Sequence, residues 1–230
     1  MRFGIVGTGK MGQEIEALAV GRGNAVVWRL GSLENPEGAG ITPSRAEAAD
    51  VVFEFTRPSA ATANLLALAG VGARVVCGTT GWSQDLSAVA EAFAREKGAA
   101  LVHAANFSVG VRHYFDLVTR AAQLYPPAGY VPYLTEEHHE AKKDAPSGTA
   151  RTIAGIFEIE TGQNLPVTSV RAGTIPGTHR LVLESPEDEV EIIHRARSRA
   201  GFAKGAIWAA ERIAGRTGVF EFGQLLKEVQ

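Results

Sequence analysis

Cysteine is almost absent from this chain. The 230 residues contain one, Cys77, so no intramolecular disulfide can form and a cysteine-based zinc site is excluded. Charge of one sign is also lacking. A net charge of -2 gives no general attraction for nucleic acid, and no nucleic-acid partner is expected. No run approaches the ~18 consecutive apolar residues of a membrane span, so no membrane partner is expected either. The opening "MRFGIVGTG" lacks the apolar stretch and small-residue cleavage site of a secretory signal. With reduced cysteine permitted, a cytoplasmic location is the expectation. What is present is an ordinary globular balance, 45% hydrophobic and 21% charged residues, and enough length to bury a substantial core.

The first half alternates short apolar runs with helical patterns. "RFGIV", "AVVW", "VVFEF", "ARVVCG" and "AALVHA" read as buried strands. Between them, "KMGQEIEALAVGRG" places Met11, Ile15 and Leu18 at helical spacing, and "SAATANLLALAG" and "DLSAVAEAFAREKG" continue the alternation. Strands alternating with helices predict a parallel α/β sheet. The pattern changes after Asn106. Helices "VRHYFDLVTRAAQLY" and "ARTIAGIFEIETG" accompany strand-like "YVPYLTEEHH", "VTSVRAG", "HRLVLES" and "EVEIIHRA", the last two joined by the turn "SPED". Two further helices, "FAKGAIWAAERIAG" and "FGQLLKEV", end the chain. The expected organisation is therefore α/β in two domains. Residues 1–106, completed by the C-terminal helices 203–230, form the parallel-sheet domain, and residues 107–202 form a smaller α+β domain with an open mixed sheet.

"GTGKMG" carries G-x-G-x-x-G at Gly7, Gly9 and Gly12, after one predicted strand and at the start of a helix. That context is the dinucleotide-binding, Rossmann-type arrangement. Gly7 permits a tight turn, Gly9 lets a pyrophosphate approach the backbone, and Gly12 lets helix and strand pack closely. Free N–H groups at the helix start then receive the phosphates. The second strand ends "VVWRLG", which puts Trp28 and Arg29 where an acid would bind the ribose of NAD. Arg29 suits the 2′-phosphate of NADP; a plain surface arginine is the alternative. NADPH or NADH is thus the expected cofactor, with dual use and a lean to NADPH. "CGTTGW" and "AANFSVGV" follow strands at the edge that faces ligand in open α/β sheets. There Cys77 is either a nucleophile or a packed core residue.

The stretch "EEHHEAKKDAPSGTA", Glu136 to Ala150, concentrates proton carriers and cations before a helix. Adjacent residues on a strand face opposite ways, so His138 and His139 chelate poorly, and no metal is expected. Histidine moves protons near neutral pH. Lys142 and Lys143 add fixed positive charge that depresses a neighbouring histidine. Ser147, Gly148 and Thr149 open a helix whose free N–H groups receive anions. The segment supplies a proton carrier, a cation and an anion cradle, which describes a site for a small carboxylated substrate. A capped helix preceded by a solvated loop accounts for the same residues.

This stretch resembles the signature of the 4-hydroxy-tetrahydrodipicolinate reductases, also called dihydrodipicolinate reductases. "GIVGTGKMG", "FEFTRP", "CGTTG", "AANFSVGV", "VRAGTIPGTH" and "SRAGFAKGA" stand in that family's order along nearly the whole chain. The resemblance implies NAD(P)H-dependent reduction of a small cyclic dicarboxylate in lysine and diaminopimelate biosynthesis. Hydride goes to a conjugated ring and His138 gives a proton to the adjacent carbon. It further implies that Lys142 assists protonation and holds substrate, and that His139, Gly148 and Thr149 bind substrate. Gly7, Thr8, Gly9, Lys10, Met11, Gly12, Arg29, Gly78, Thr79, Thr80, Ala104, Ala105, Asn106 and Phe107 match cofactor positions. A homotetramer is implied as well, and closure of the two domains on the ligands is expected, to exclude water. The chain departs from the pattern at Trp28, where the family often has an acid, at Glu54 in place of aspartate, and in a shortened segment between Arg29 and Asp50.

Overall fold

In the third strand-like run Val51 to Glu54 are all buried, and consecutive residues feed two different cores. Val51 and Phe53 join one cluster and Val52 the other, as a parallel sheet covered on both faces requires. In the computed structural model, which describes residues 1–229, the chain folds as two units. One contains residues 1–109 and the chain from Ala200 onward; the other contains residues 110–199. The sequence expectation set the corresponding boundaries at residues 106 and 203.

In chain order the elements are β1 (Arg2–Val6), α1 (Lys10–Gly21), β2 (Ala25–Leu30), α2 (Pro43–Ala48), β3 (Val51–Glu54), α3 (Pro58–Gly70), β4 (Arg74–Cys77), α4 (Leu86–Arg95) and β5 (Ala100–His103). There follow α5 (Val109–Leu124), β6 (Val131–His138), α6 (Gly148–Thr161), β7 (Val167–Arg171), β8 (Thr178–Glu184) and β9 (Glu189–Arg195). The chain ends with α7 (Ala200–Ile213), β10 (Gly218–Glu221) and α8 (Phe222–Lys227).

The first unit is a six-stranded parallel sheet in the order β10-β5-β4-β3-β1-β2. Its front core unites Phe3, Ile5 and Phe53 with Ile15 of α1 and Ala206, Ile207 and Ala210 of α7. Small side chains let α7 lie close, and Gly205 is compulsory: a Cβ there would stand 1.7 Å from the carbonyl oxygen of Phe107. The back core packs Val52, Val75 and Leu101 against Leu65 and Leu68 of α3 and Phe93 of α4. Two features differ from the sequence expectation. β2 continues to Leu30, two residues past Trp28, and "GVFE" forms a sixth strand paired with β5 rather than a linker between helices.

The second unit is a four-stranded mixed sheet in the order β7-β6-β8-β9, with β6 parallel to β7 and antiparallel to β8. Period-two alternation along β6 turns Leu134, Glu136 and His138 to the buried side. Leu134 enters a core with Leu181, Leu183, Val118 of α5, and Ile153 and Phe157 of α6. The same face therefore becomes polar at the end of β6, which sets up the site in this unit.

Candidate functional site

In the first unit the glycine loop has the shape a dinucleotide needs. Gly7 has φ +107°, and a Cβ there would collide with the Phe55 carbonyl oxygen at 2.1 Å. A Cβ on Gly12 would lie 2.0 Å from the Gly7 carbonyl oxygen. At Gly9, by contrast, nothing stands within 4 Å of where a Cβ would be, so the backbone at the N-cap of α1 is open to an incoming phosphate. A cavity of about 500 Å³ begins at Gly7, Thr8 and Gly9 and extends past Gly31, Ser32 and Arg57. Lys10 and Met11 form the first helical positions beside it. These residues fit a nicotinamide dinucleotide.

A second cavity in this unit, about 270 Å³, is lined by Thr79, Thr80, Trp82, His103, Ala104 and Ala105. Thr79 is fixed from two sides: its hydroxyl accepts from the Thr56 N–H at 2.7 Å, and its carbonyl accepts from Trp82 Nε1 at 2.8 Å. Gly78 passes so close to the Phe55 ring that a Cβ would overlap it at 2.1 Å. His103 was not foreseen as a lining residue; burial draws its pKa down, against the opposing charge of Glu221.

Four expectations need correction or narrowing. Arg29 points to α1, not into the cavity. Its guanidinium forms a two-point pair with Glu16, Nε donating at 2.6 Å, and it is absent from the cavity wall. The reason is β2's true length, which puts Gly31 and Ser32 at the ligand-facing end. Phe107 is buried in the front core against Phe55 and Phe222, so its ring is structural. The Asn106 side chain accepts from the Ser108 N–H at 2.8 Å and shapes the turn before α5. Cys77 is no nucleophile: it is fully buried, and burial first, then Glu54, hold its thiol well above the usual range.

In the second unit, His138 closes β6 and its Nδ1 pairs with the Glu136 carboxylate. Glu136 has no exposed surface. Its other oxygen accepts from Arg171 Nη2 at 2.7 Å and from the Ser147 N–H at 3.4 Å. Burial alone would raise the Glu136 pKa, but hydrogen bonds from Arg171 and Ser169 and the neighbouring His138 bring it down to about 2. Burial is also the main cause that lowers His138; Glu136 opposes it, and Lys142 and Arg171 reinforce it. Lys142 thus acts as expected but as a secondary cause, and its ammonium donates to Asp144 at 2.6 Å.

Ser147 caps α6 by accepting from the Ala150 N–H at 3.2 Å, and its hydroxyl pairs with His179 Nε2 at 3.1 Å. The amides of Gly148 and Thr149, the first two helical residues, lack intrahelical acceptors and remain available to an anion. His139 lies just beyond β6, half-buried and outside the Glu136 network, while Lys143 is exposed.

Sequence reasoning missed Glu136, Arg171 and His179. Glu136 was accessible, because an acid two residues before a histidine on a strand shares its face. Arg171 and His179 face it only through register, Arg171 opposite His138 and His179 opposite Glu136. Glu136, His138 and His179 offer ligand atoms within 4.8 Å of one another. Both Glu136 oxygens are already taken, however, and the Arg171 guanidinium supplies the positive charge that a metal would bring.

Family models for the N-terminus and the C-terminus of dihydrodipicolinate reductase match residues 1–107 and 110–226. The chain is 33% identical to the 4-hydroxy-tetrahydrodipicolinate reductase of Christiangramia forsetii, across 100% of this chain and 99% of the relative. It is 33% identical to the enzyme of that name from Natronomonas pharaonis, across 96% and 98% of the two chains. A dipicolinate-bound dihydrodipicolinate reductase from Paenisporosarcina shares the fold, with a TM-score of 0.78 at 20% identity over 96% of this chain and 97% of that one. The chain belongs to the dihydrodipicolinate reductase family and carries that family's oxidoreductase activity, reduction of 4-hydroxy-tetrahydrodipicolinate.

Proposed function

We propose that the second unit binds the substrate dicarboxylate and protonates it from His138, while the glycine-loop unit holds the hydride donor. The observation that supports this most directly is the buried His138, tied through Nδ1 to Glu136 and flanked by Lys142 and the N-terminus of α6. Lys142 and the Gly148 and Thr149 amides hold carboxylates, and His139 lies beside them at the end of β6. Loss of the 4-hydroxyl as water leaves the ring conjugated, and a bound reduced nicotinamide would supply hydride to that ring. The His138 ring then gives one proton to the adjacent carbon, and the neutral imidazole is recharged from solvent.

On the cofactor, Gly7, Thr8 and Gly9 hold the pyrophosphate and Thr79, Thr80, Ala104 and Ala105 receive the nicotinamide. The lean to NADPH rested on Arg29, and its pairing with Glu16 withdraws that support. The Glu34 carboxylate instead folds back onto the Gly31 N–H at 3.0 Å, beside the cavity wall. An acid there accepts from a ribose hydroxyl and repels a 2′-phosphate, which favours NADH. We further propose a homotetramer built on the second unit's sheet, to be checked by light scattering. No helix among the described residues is long and apolar enough to cross a membrane, and a cytoplasmic enzyme is the reading that fits a nicotinamide-dependent biosynthetic step.

The test is oxidation of NADH and NADPH, followed by absorbance with synthase-generated substrate. His138→Gln is expected to leave cofactor affinity intact and slow turnover by about 10²-fold or more. Undiminished turnover would remove His138 from the role of proton donor.

A further inference from the structure

The buried carboxylate two residues before the proton donor has no role in the mechanism above. Glu136 and His138 share one face of β6, and Glu136 spends both oxygens: one on His138 Nδ1, the other on Arg171 and the Ser147 amide. A buried acid without partners is costly, so Arg171, whose own side chain is mostly buried, keeps it an anion. An anionic carboxylate only accepts hydrogen bonds. His138 Nδ1 must therefore carry hydrogen in both protonation states of the ring. The proton that comes and goes is confined to Nε2.

Nε2 is the free side of this ring, with no hydrogen-bond partner among the described residues. It faces Gly177, where a Cβ would stand 3.0 Å away. The backbone there has φ +146°, so glycine is favoured on two grounds and leaves Nε2 uncovered. The charged and titratable groups around the ring are Glu136 on its own strand, Arg171 on β7, His179 on β8 and Lys142 in the following loop. Only Glu136 is negative, so it alone offsets the two cations and the burial that disfavour the protonated ring.

We propose that Glu136, anchored by Arg171, is the positioning residue that fixes the His138 tautomer and directs the transferable proton to Nε2. The proposal rests on His138 as the proton donor. Without the carboxylate, the ring would lose its proton at lower pH and populate both tautomers, and less of the acid form would remain at working pH.

The test is the pH profile of kcat/KM for Glu136→Gln and Glu136→Asp, beside His138→Gln. A proton donor must be protonated, so activity falls as pH rises through its pKa. In Glu136→Gln the basic limb is expected to move down by roughly one pH unit or more, with activity recovered at lower pH. Glu136→Asp, which restores the charge, should return the limb toward the parent position. A purely structural role would lower activity at every pH and leave the limb in place, which would overturn the proposal. Nitrogen-15 NMR of the His138 ring gives a readout independent of turnover. Hydrogen on Nδ1 is expected in the parent at high pH and a tautomer mixture in Glu136→Gln; equal populations in the parent would also overturn it. If His138→Gln keeps full activity, the functional reading itself fails. If that variant is impaired but the Glu136→Gln limb is unmoved, only the positioning proposal fails. Should Glu136→Gln not fold, the nitrogen-15 tautomer readout of the parent protein decides the proposal: hydrogen on Nδ1 at high pH supports it and equal populations overturn it.

Discussion

Replacing Ser147 by alanine should destabilise the second unit by about 2–4 kcal/mol, the sum of two separable losses. The first is the helix cap. Ser147 Oγ accepts from the Ala150 N–H, and exchanging a serine cap for alanine costs about 1 kcal/mol. The second is the partner of His179. That ring is 4% exposed and its Nδ1 already has no hydrogen-bond partner. Removing the hydroxyl strands Nε2 as well, and a buried polar group left unpaired costs about 1–3 kcal/mol. Ser147→Gly separates the two, because glycine caps nearly as well as serine while still abandoning His179. Urea denaturation of the three proteins measures the sum. Hydrogen exchange of the amides in the first turns of α6 shows whether the helix start opens. Substrate KM is expected to rise in both variants, since the Gly148 and Thr149 amides are aligned by the same cap. A loss below about 1 kcal/mol in Ser147→Ala would refute the reasoning, because the cap alone accounts for that much.

Three other perturbations give distinct signatures. Gly12→Ala would gain helix propensity, but its Cβ lies 2.0 Å from the Gly7 carbonyl oxygen. Overpacking of about 1–3 kcal/mol should dominate, seen as a lower melting temperature and weaker NADH binding by fluorescence; an unchanged affinity would contradict the loop geometry. Glu34→Gln should raise NADPH affinity relative to NADH by about five-fold at low salt, less at high salt. An unaltered ratio in direct binding would remove Glu34 from cofactor selection. Stability should also fall on acidification. Burial, followed by the neighbouring His138 charge, holds His179 at about 4 against an ordinary 6.5, so the unfolded chain binds the extra proton between those values. The stabilisation is complete above pH 6.5 and is lost as pH drops toward 4, by roughly 3 kcal/mol in total. Glu136, lowered to about 2, adds a further loss below about pH 4.5. Urea titrations across this range test the slope, and His179→Asn should flatten its upper part.

Local patterning made much of the fold legible. Apolar runs of four to six residues between helical segments marked β1 to β5, because a sheet covered on both faces needs unbroken hydrophobic stretches. "GVFE" was missed because four residues between two helices carry no periodic signal; its pairing with β5 makes it a strand. The end of β2 was misplaced for a similar reason. Trp28 looks like a boundary, yet its indole donates to the Arg45 carbonyl at 2.8 Å and the strand runs on to Leu30. That shift of two residues puts Gly31 and Ser32, rather than Arg29, in the cavity wall.

The sequence by itself determined the chemistry that is local in the chain: the glycine loop at a helix start, the Ser147 cap with its free Gly148 and Thr149 amides, and the presence of His138 and Lys142 in one segment. These depend on a few consecutive residues and on backbone geometry common to all helices and strands. Only the tertiary structure decided what surrounds them. Strand register brings Arg171 and His179 to Glu136 and His138 from 35 and 41 positions away in sequence, counted from Glu136 to Arg171 and from His138 to His179. The pairing of Arg29 with Glu16 likewise depends on how α1 lies against β2. A charge acts through space, so which cation faces which acid is set by packing and register, and no spacing along the chain encodes it.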